Sequence, residues 1–143
     1  MSNSGRWDAF DTEAVRRAKR LVIRNAVTFV MQRLTEVIRD LPNLKITIED
    51  LRCSPEEIFI LIQTWLSADR PVGAFCCLEV KDGETAENIL RSVQTQYERT
   101  NRTKRCVTIQ KNTITRVELF YVPYTSPRND TYKGILKTRI VKI

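Results

Sequence analysis

The most regular pattern in the chain is a series of apolar residues at helical spacing near the N-terminus. They recur at intervals of three, four and seven positions and so fall along one helix face. The series comprises Val15, Val22, Ala26, Val30, Leu34, Val37 and Leu41. Asp11 or Thr12 can cap such a helix, and Pro42 stops it. The pattern therefore predicts one long amphipathic helix, preceded by a mobile arm at residues 1–10.

Two patterns in the middle of the chain predict strands. Residues 44–49 alternate apolar and polar side chains, as a half-buried strand does. Residues 58–62 read Ile-Phe-Ile-Leu-Ile, and such a run, apolar on both faces, is typical of a central strand. Ser54 and Pro55, followed by two acidic residues, would equally suit a helix start. We interpret residues 58–62 as a strand after a turn, with residues 74–80 as the return strand of a hairpin.

The second half of the chain predicts one more helix and three more strands. The helix begins near Glu84 or Thr85, ends near Thr100, and has the apolar stripe Ala86, Ile89, Leu90, Val93 and Tyr97. The predicted strands are residues 106–110, 113–122 and 136–143, the first two forming a hairpin.

The order of these elements predicts an α+β fold. Because the connections are short, we expect a largely antiparallel sheet of about five to six strands, with the long N-terminal helix and the second amphipathic helix packed against it. The chain has 143 residues, no internal repeat and no linker rich in Pro, Gly or Ser. Residues 11–143 are therefore predicted to form a single domain.

The chain contains no histidine, which removes most of the common catalytic and metal-binding arrangements. Its acidic residues form only two close pairs, at Glu49–Asp50 and Glu56–Glu57, and its four cysteines lack the spacing of zinc sites. Cys106 follows Lys104 and Arg105 and is the strongest candidate nucleophile, although a half-buried structural thiol is the simpler interpretation. We predict no catalytic residue, no metal site and no cofactor, and hence no enzyme.

The formal net charge of +7 is concentrated in the last third of the chain. Residues 99–143 hold eleven basic and two acidic side chains. The densest basic run supplies Arg99, Arg102, Lys104 and Arg105, which could contact the phosphates of a nucleic acid. Basic residues after a helix also offset the helix dipole, so this run has a structural interpretation as well.

A second basic series lies on the predicted N-terminal helix, where Arg16, Arg20 and Arg24 recur every four residues. This face would suit a nucleic acid, an acidic protein or solvent. Aromatic residues among the basic ones would favour nucleic acid, because bases stack on rings, but the aromatic residues lie outside the densest basic runs. Tyr121, Tyr124 and Tyr132 are instead candidates for a protein interface.

The predicted hairpin from Ile58 to Val80 has Arg70-Pro71-Val72 at its turn and is followed by an amphipathic helix and another strand. This arrangement resembles the core of HORMA domains, which are adaptor modules that clasp short peptides of their partners. The resemblance is topological and assigns no role to any residue.

These observations together favour a non-catalytic interaction module, an adaptor or scaffold subunit of a multiprotein complex. Its partner would be another protein or a second copy of the chain, giving a homodimer. The alternative function is binding of RNA or DNA through the basic run and the basic helix face, and a HORMA-like adaptor is a more remote one. Residues 1–11 carry Arg6, Asp8 and Asp11 without an apolar segment, so we do not expect a signal peptide, and no apolar run reaches about 18 residues. We therefore expect an intracellular protein, cytoplasmic or nuclear, without membrane contact.

Overall fold

A seven-stranded mixed sheet and three helices make up the part of the chain that the computed structural model describes. The described residues are 17–24, 31–40, 42–49, 51–97, 100–103, 105–125 and 132–143. In chain order the elements are β1 (Arg20–Ile23), α1 (Met31–Asp40), β2 (Lys45–Ile48), α2 (Pro55–Ser67), β3 (Phe75–Val80), α3 (Gly83–Gln96), β4 (Thr100–Thr103), β5 (Cys106–Gln110), β6 (Thr115–Thr125) and β7 (Tyr132–Lys142).

The sheet joins a parallel half to an antiparallel half. Its strand order is β1-β2-β3-β7-β6-β5-β4. β1, β2 and β3 run parallel, and α1 and α2 are the crossovers that parallel neighbours require. β7 pairs antiparallel with β3 on one side and with β6 on the other, and so connects the halves. The 11-residue strands β6 and β7 pair along their whole length and form the longest ladder of the sheet.

All three helices pack on the same face of the sheet and bury one hydrophobic core with it. α2 lies between α1 and α3 and contacts both. Alternate residues of each strand point into this core: Leu21, Ile46, Cys76, Ile140, Val117 and Val107 are examples, each 9% exposed or less. The helices contribute Leu34, Val37, Ile38, Ile58, Leu61, Ile62, Trp65, Ala86, Ile89, Leu90 and Val93.

The predicted strand at residues 58–62 is wrong, since these residues lie in the helix α2. A capping box starts this helix: the Ser54 hydroxyl accepts a hydrogen bond from the Glu57 backbone N–H at 3.2 Å, and a Glu57 carboxylate oxygen accepts one from the Ser54 N–H at 3.0 Å. Pro55 at the first helical position completes a favourable start. The hairpin of residues 58–80 is therefore absent, and the resemblance to HORMA domains that rested on it is overturned.

The predicted long N-terminal helix is also wrong, because β1 interrupts it. Leu21 and Ile23, which are off the predicted apolar stripe, are buried, whereas Val22, which is on it, is 39% exposed. This two-residue alternation is that of a strand with one face on the core. α1 retains only the C-terminal part of the predicted stripe, with Leu34 and Val37 in the core. Asp11, Thr12 and the predicted arm at residues 1–10 lie outside the described residues.

The expected sheet of five to six largely antiparallel strands is accordingly corrected to seven strands in a mixed sheet. Several individual elements were correctly predicted: β2, β3, the hairpin of β5 and β6, and the helix α3 with its buried stripe. The helix ends at Gln96 rather than near Thr100, which instead begins the unpredicted strand β4. Asn112 supports that hairpin, because its side-chain oxygen accepts hydrogen bonds from the N–H groups of Ile114 at 2.9 Å and Thr115 at 2.8 Å. β6 runs on to Thr125, past the predicted end at residue 122, and β7 begins at Tyr132, before the predicted start at residue 136.

The capping box gives a direct test of the helical start of α2. We expect Ser54→Ala to lower the free energy of unfolding by about 1 kcal/mol, since the N–H of Glu57 loses its acceptor. Urea denaturation measures this change. Ser67→Ala, which removes a hydroxyl bonded to the Thr64 carbonyl at the other end of α2, is the matched control and should cost less. Equal costs for the two variants would show that the cap does not stabilise the helix.

Candidate binding face

The predicted basic run from Arg99 to Arg105 does not form one exposed cluster in the described residues. Arg99 and Lys104 lie outside them. The Arg102 side chain, on β4, is only 18% exposed and pairs with the Glu87 carboxylate of α3, whereas Arg105 is exposed in the turn before β5. Arg102 therefore holds β4 against α3, where its charge is neutralised.

The predicted ridge of Arg16, Arg20 and Arg24 is likewise not a helix face. Arg16 lies outside the described residues. Arg20 begins β1 and points away from the core, and Arg24 follows β1 and forms an exposed ion pair with Glu49 at 3.6 Å. Arg20 therefore lies on a strand of the sheet and not on the predicted helix.

Tyr121, a predicted interface residue, is partly buried against the core. It lies on the core side of β6, and two glycines make room for its ring: a Cβ atom at Gly134 would overlap the ring carbon Cε1, and one at Gly83 would lie 3.0 Å from the phenol oxygen. Tyr121 therefore packs against the two glycines, and its role in an interface stays a prediction. The side chains of Tyr124 and Tyr132 lie outside the part of the molecule that is described.

The face of the sheet opposite the described helices is a surface that we call the open face. None of the three described helices packs on it, since all three contribute to the core on the other side. Strand register aligns its side chains in rows that run across the sheet. One row is Arg20, Lys45, Phe75, Arg139, Glu118, Thr108 and Asn101, and the next is Val22, Thr47, Cys77, Lys137, Phe120, Cys106 and Thr103.

Basic side chains outnumber acidic ones on the open face. Among the side chains that the structure describes, strand register places five basic ones there, against the two acidic residues Glu79 and Glu118. The basic residues are Arg20, Lys45, Arg116, Lys137 and Arg139. The Glu118 carboxylate is shared by Arg116 at 3.1 Å and Arg139 at 2.7 Å, so its charge is balanced locally. The formal charges of the remaining described side chains, Arg20, Lys45 and Lys137 against Glu79, are net positive.

Two aromatic rings of the open face each lie beneath a cation from the neighbouring strand. The Lys45 ammonium nitrogen is 5.0 Å from the centroid of the Phe75 ring, and the Arg139 guanidinium carbon is 4.9 Å from that of Phe120. These are cation–π distances. The contacts restrict both cationic side chains and hold them over the sheet.

The cysteines show no sign of activation. Burial raises the pKa of Cys53, Cys76, Cys77 and Cys106, that of Cys76 to about 12. For Cys106, the predicted candidate nucleophile, the carboxylate of Glu118 raises the pKa further, while Arg139 and Arg116 act in the opposite direction. Thiols with raised pKa values are poor nucleophiles at neutral pH.

The helix layer carries a groove. It encloses about 450 Å³ between α2 and α3 and is lined by Phe59, Glu56 and Arg91 among others. No group of three or more acidic or cysteine side chains that could hold a metal ion occurs in the described part of the chain. Nor is any described helix long and apolar enough to cross a membrane.

Comparison with known proteins places the parallel half of the sheet in a family. Residues 2–82 match the family model described as Domain of unknown function (DUF3557). The chain belongs to this family. The DUF3557 match ends at Asp82, the residue that caps α3, and so includes β1, β2 and β3 with their two crossover helices. Neither the curated proteins nor the solved structures gave a match.

Sequence reasoning missed the open face, although part of its signal was present. Lys45, Lys137 and Arg139 occupy polar positions of strands that alternate with apolar ones, which is how residues facing away from a core are recognised. Their assembly on one surface follows only from the strand order, which places β7 between β3 and β6.

The slot for the Tyr121 ring gives a sharp stability test. We expect Gly134→Ala to lower the free energy of unfolding by about 2 kcal/mol, because the added methyl group overlaps the ring. In a Tyr121→Ala background the same change should cost much less, since the ring is gone. Denaturant unfolding of the four proteins in this cycle measures the coupling. Additive costs would mean that Tyr121 does not occupy the slot.

Proposed function

We propose that this protein is a non-catalytic binding module and that the open face of its sheet binds a negatively charged partner. The observation that carries the proposal is the placement of five basic side chains against two acidic ones on a surface that no described helix covers. A positively charged surface of this kind attracts polyanions and acidic proteins and speeds their association.

The rigidity of the open face supports a binding role. Its basic residues lie on paired strands within a sheet whose other side is packed against three helices. Side chains held on such a framework lose less conformational entropy when a partner binds than side chains on a mobile loop. The basic run first suggested by the sequence offers less, because Arg102 is already paired with Glu87.

The chemistry of the described residues gives an enzyme less support. The thiol pKa values are raised rather than lowered. The Glu118 carboxylate of the open face is paired with Arg116 and Arg139. Catalysis would require a nucleophile or a pair of acidic groups with shifted pKa values in a cleft. A binding module fits these residues better.

Chromatography on immobilised heparin tests the proposal. The triple variant Arg20→Gln, Lys45→Gln and Lys137→Gln removes three positive charges from the open face. We expect it to elute at clearly lower salt than the unaltered protein, since fewer counterions are released from heparin when fewer contacts form.

The matched control removes three exposed charges elsewhere: Arg91→Gln on α3, Arg105→Gln in the turn before β5, and Lys142→Gln at the end of β7. Both variants lower the formal net charge from +7 to +4. Circular dichroism confirms that both are folded. Equal shifts for the two variants would show that heparin responds to overall charge alone and would refute the open face as the binding surface.

A further inference from the structure

We propose that the negatively charged partner of the open face is a single-stranded nucleic acid, whose bases stack on Phe75 and Phe120 while its phosphates contact the surrounding cations. This inference rests on the proposed function, because it uses the same surface. What it adds is the partner's chemistry, which the aromatic rings indicate and the charges alone do not.

The rings and cations of the open face form a diagonal pattern around β7. Arg139 of β7 lies opposite Phe75 of β3, and Lys137 of β7 lies opposite Phe120 of β6. Each ring therefore has a cation beside it on β7. Two strand spacings and a two-residue offset separate Phe75 from Phe120, which corresponds to about 12 Å between their Cα atoms. Aromatic residues are thus interleaved with basic ones in space, although they are not in the sequence.

The neighbours of the two rings leave room for flat ligands. Thr47, Cys77 and Thr108 share the two rows with the rings and are short. A planar base can therefore approach either Phe75 or Phe120 over a low surface. The Lys45 ammonium group over Phe75 can turn to a phosphate, whereas the Arg139 guanidinium, held over Phe120, can itself stack on a base.

A single strand fits this surface better than a duplex or an acidic peptide. A duplex conceals the faces of its bases, and its major groove is read by a protruding helix or ribbon rather than by a broad sheet. An acidic peptide would use the cations and leave the two rings without a role. Single strands offer both phosphates and exposed base faces, the combination that stacking platforms with basic surroundings bind.

The two carboxylates of the open face set a limit on the path of the strand. Glu118 is neutralised by Arg116 and Arg139, and Glu79 lies nearer the end of β3. The positive path that avoids both carboxylates runs from Arg20 and Lys45 across Phe75 to Lys137 and Phe120. We expect the nucleic acid to follow this path.

Fluorescence anisotropy with labelled 12-nucleotide oligouridine and oligothymidine tests the inference over a series of salt concentrations. We expect Phe75→Leu and Phe120→Leu each to weaken binding roughly tenfold, the usual effect of losing one base–aromatic stack. Phe59→Leu, which alters a half-buried ring in the groove between α2 and α3, is the matched control and should leave binding unchanged. The triple Gln variant of the open face should reduce the salt slope by about 2, as the loss of three phosphate contacts to a single strand predicts.

The possible outcomes separate this inference from the proposed function. A labelled poly-glutamate peptide and a 12-base-pair duplex serve as competing probes. If the triple Gln variant loses heparin binding but the two Phe variants bind oligonucleotides normally, or if poly-glutamate binds more tightly, the partner is an acidic protein. The nucleic-acid inference then fails and the open face remains the binding surface. If the triple Gln variant changes neither heparin nor oligonucleotide binding, both proposals fail.

Photocrosslinking of the unaltered protein makes the test independent of the variants. An oligonucleotide containing 4-thiouridine is irradiated with the protein, and the crosslinked residues are identified by mass spectrometry. Crosslinks at or beside Phe75 and Phe120 support the inference. Crosslinks confined to the helix layer or to the turn around Arg105 would overturn it.

Discussion

The mixed sheet depends on the start of α2 at Ser54. Because the Ser54 hydroxyl and the Glu57 carboxylate satisfy N–H groups at that point, the chain leaves the sheet as a helix and returns to it at β3, parallel to β2. A strand at residues 58–62 would have returned antiparallel, as a hairpin. The helical crossover also keeps the far edge of β3 available, and β7 pairs there to join the two halves.

The open face follows from the same crossovers. The strands β1, β2 and β3 advance across the sheet in one direction, and crossovers of one hand then place α1 and α2 on one side. α3 contacts α2 and extends this layer over the antiparallel half. Every second residue of each strand consequently faces away from the helices. Five described basic side chains and two phenylalanines stand among those positions, beside exposed apolar residues such as Val22 and Val122, and this composition determines what the surface can bind.

Elements with one buried apolar face and one polar face were predicted correctly from the sequence. Elements that lack this contrast between their faces were missed. α3 and β3 each have one such face, and both were recognised. α2 lies between α1 and α3 with Ile58, Leu61 and Trp65 in the core, yet Ile60 is 47% exposed. Because Ile60 is apolar and lies on the exposed side, α2 lacks the contrast between an apolar and a polar face that marks a helix. The run of residues 58–62 therefore resembled a strand. The cap at Ser54 was the correct signal, and the β-branched run outweighed it.

The contrast between Arg102 and Arg139 explains why charge density along the chain is a poor guide to a binding surface. Arg102 belongs to the densest basic run, but its side chain is 18% exposed and neutralised by Glu87 of α3. Arg139 has no such run around it, but the sheet places it beside Lys137 and over Phe120, with half of its side chain exposed. Its contacts with the ring and with Glu118 fix its orientation without burying it, which lowers the entropy lost on binding. A partner that makes full use of this arrangement offers a flat π-surface as well as negative charge, since charge alone leaves the rings beneath the cations unused.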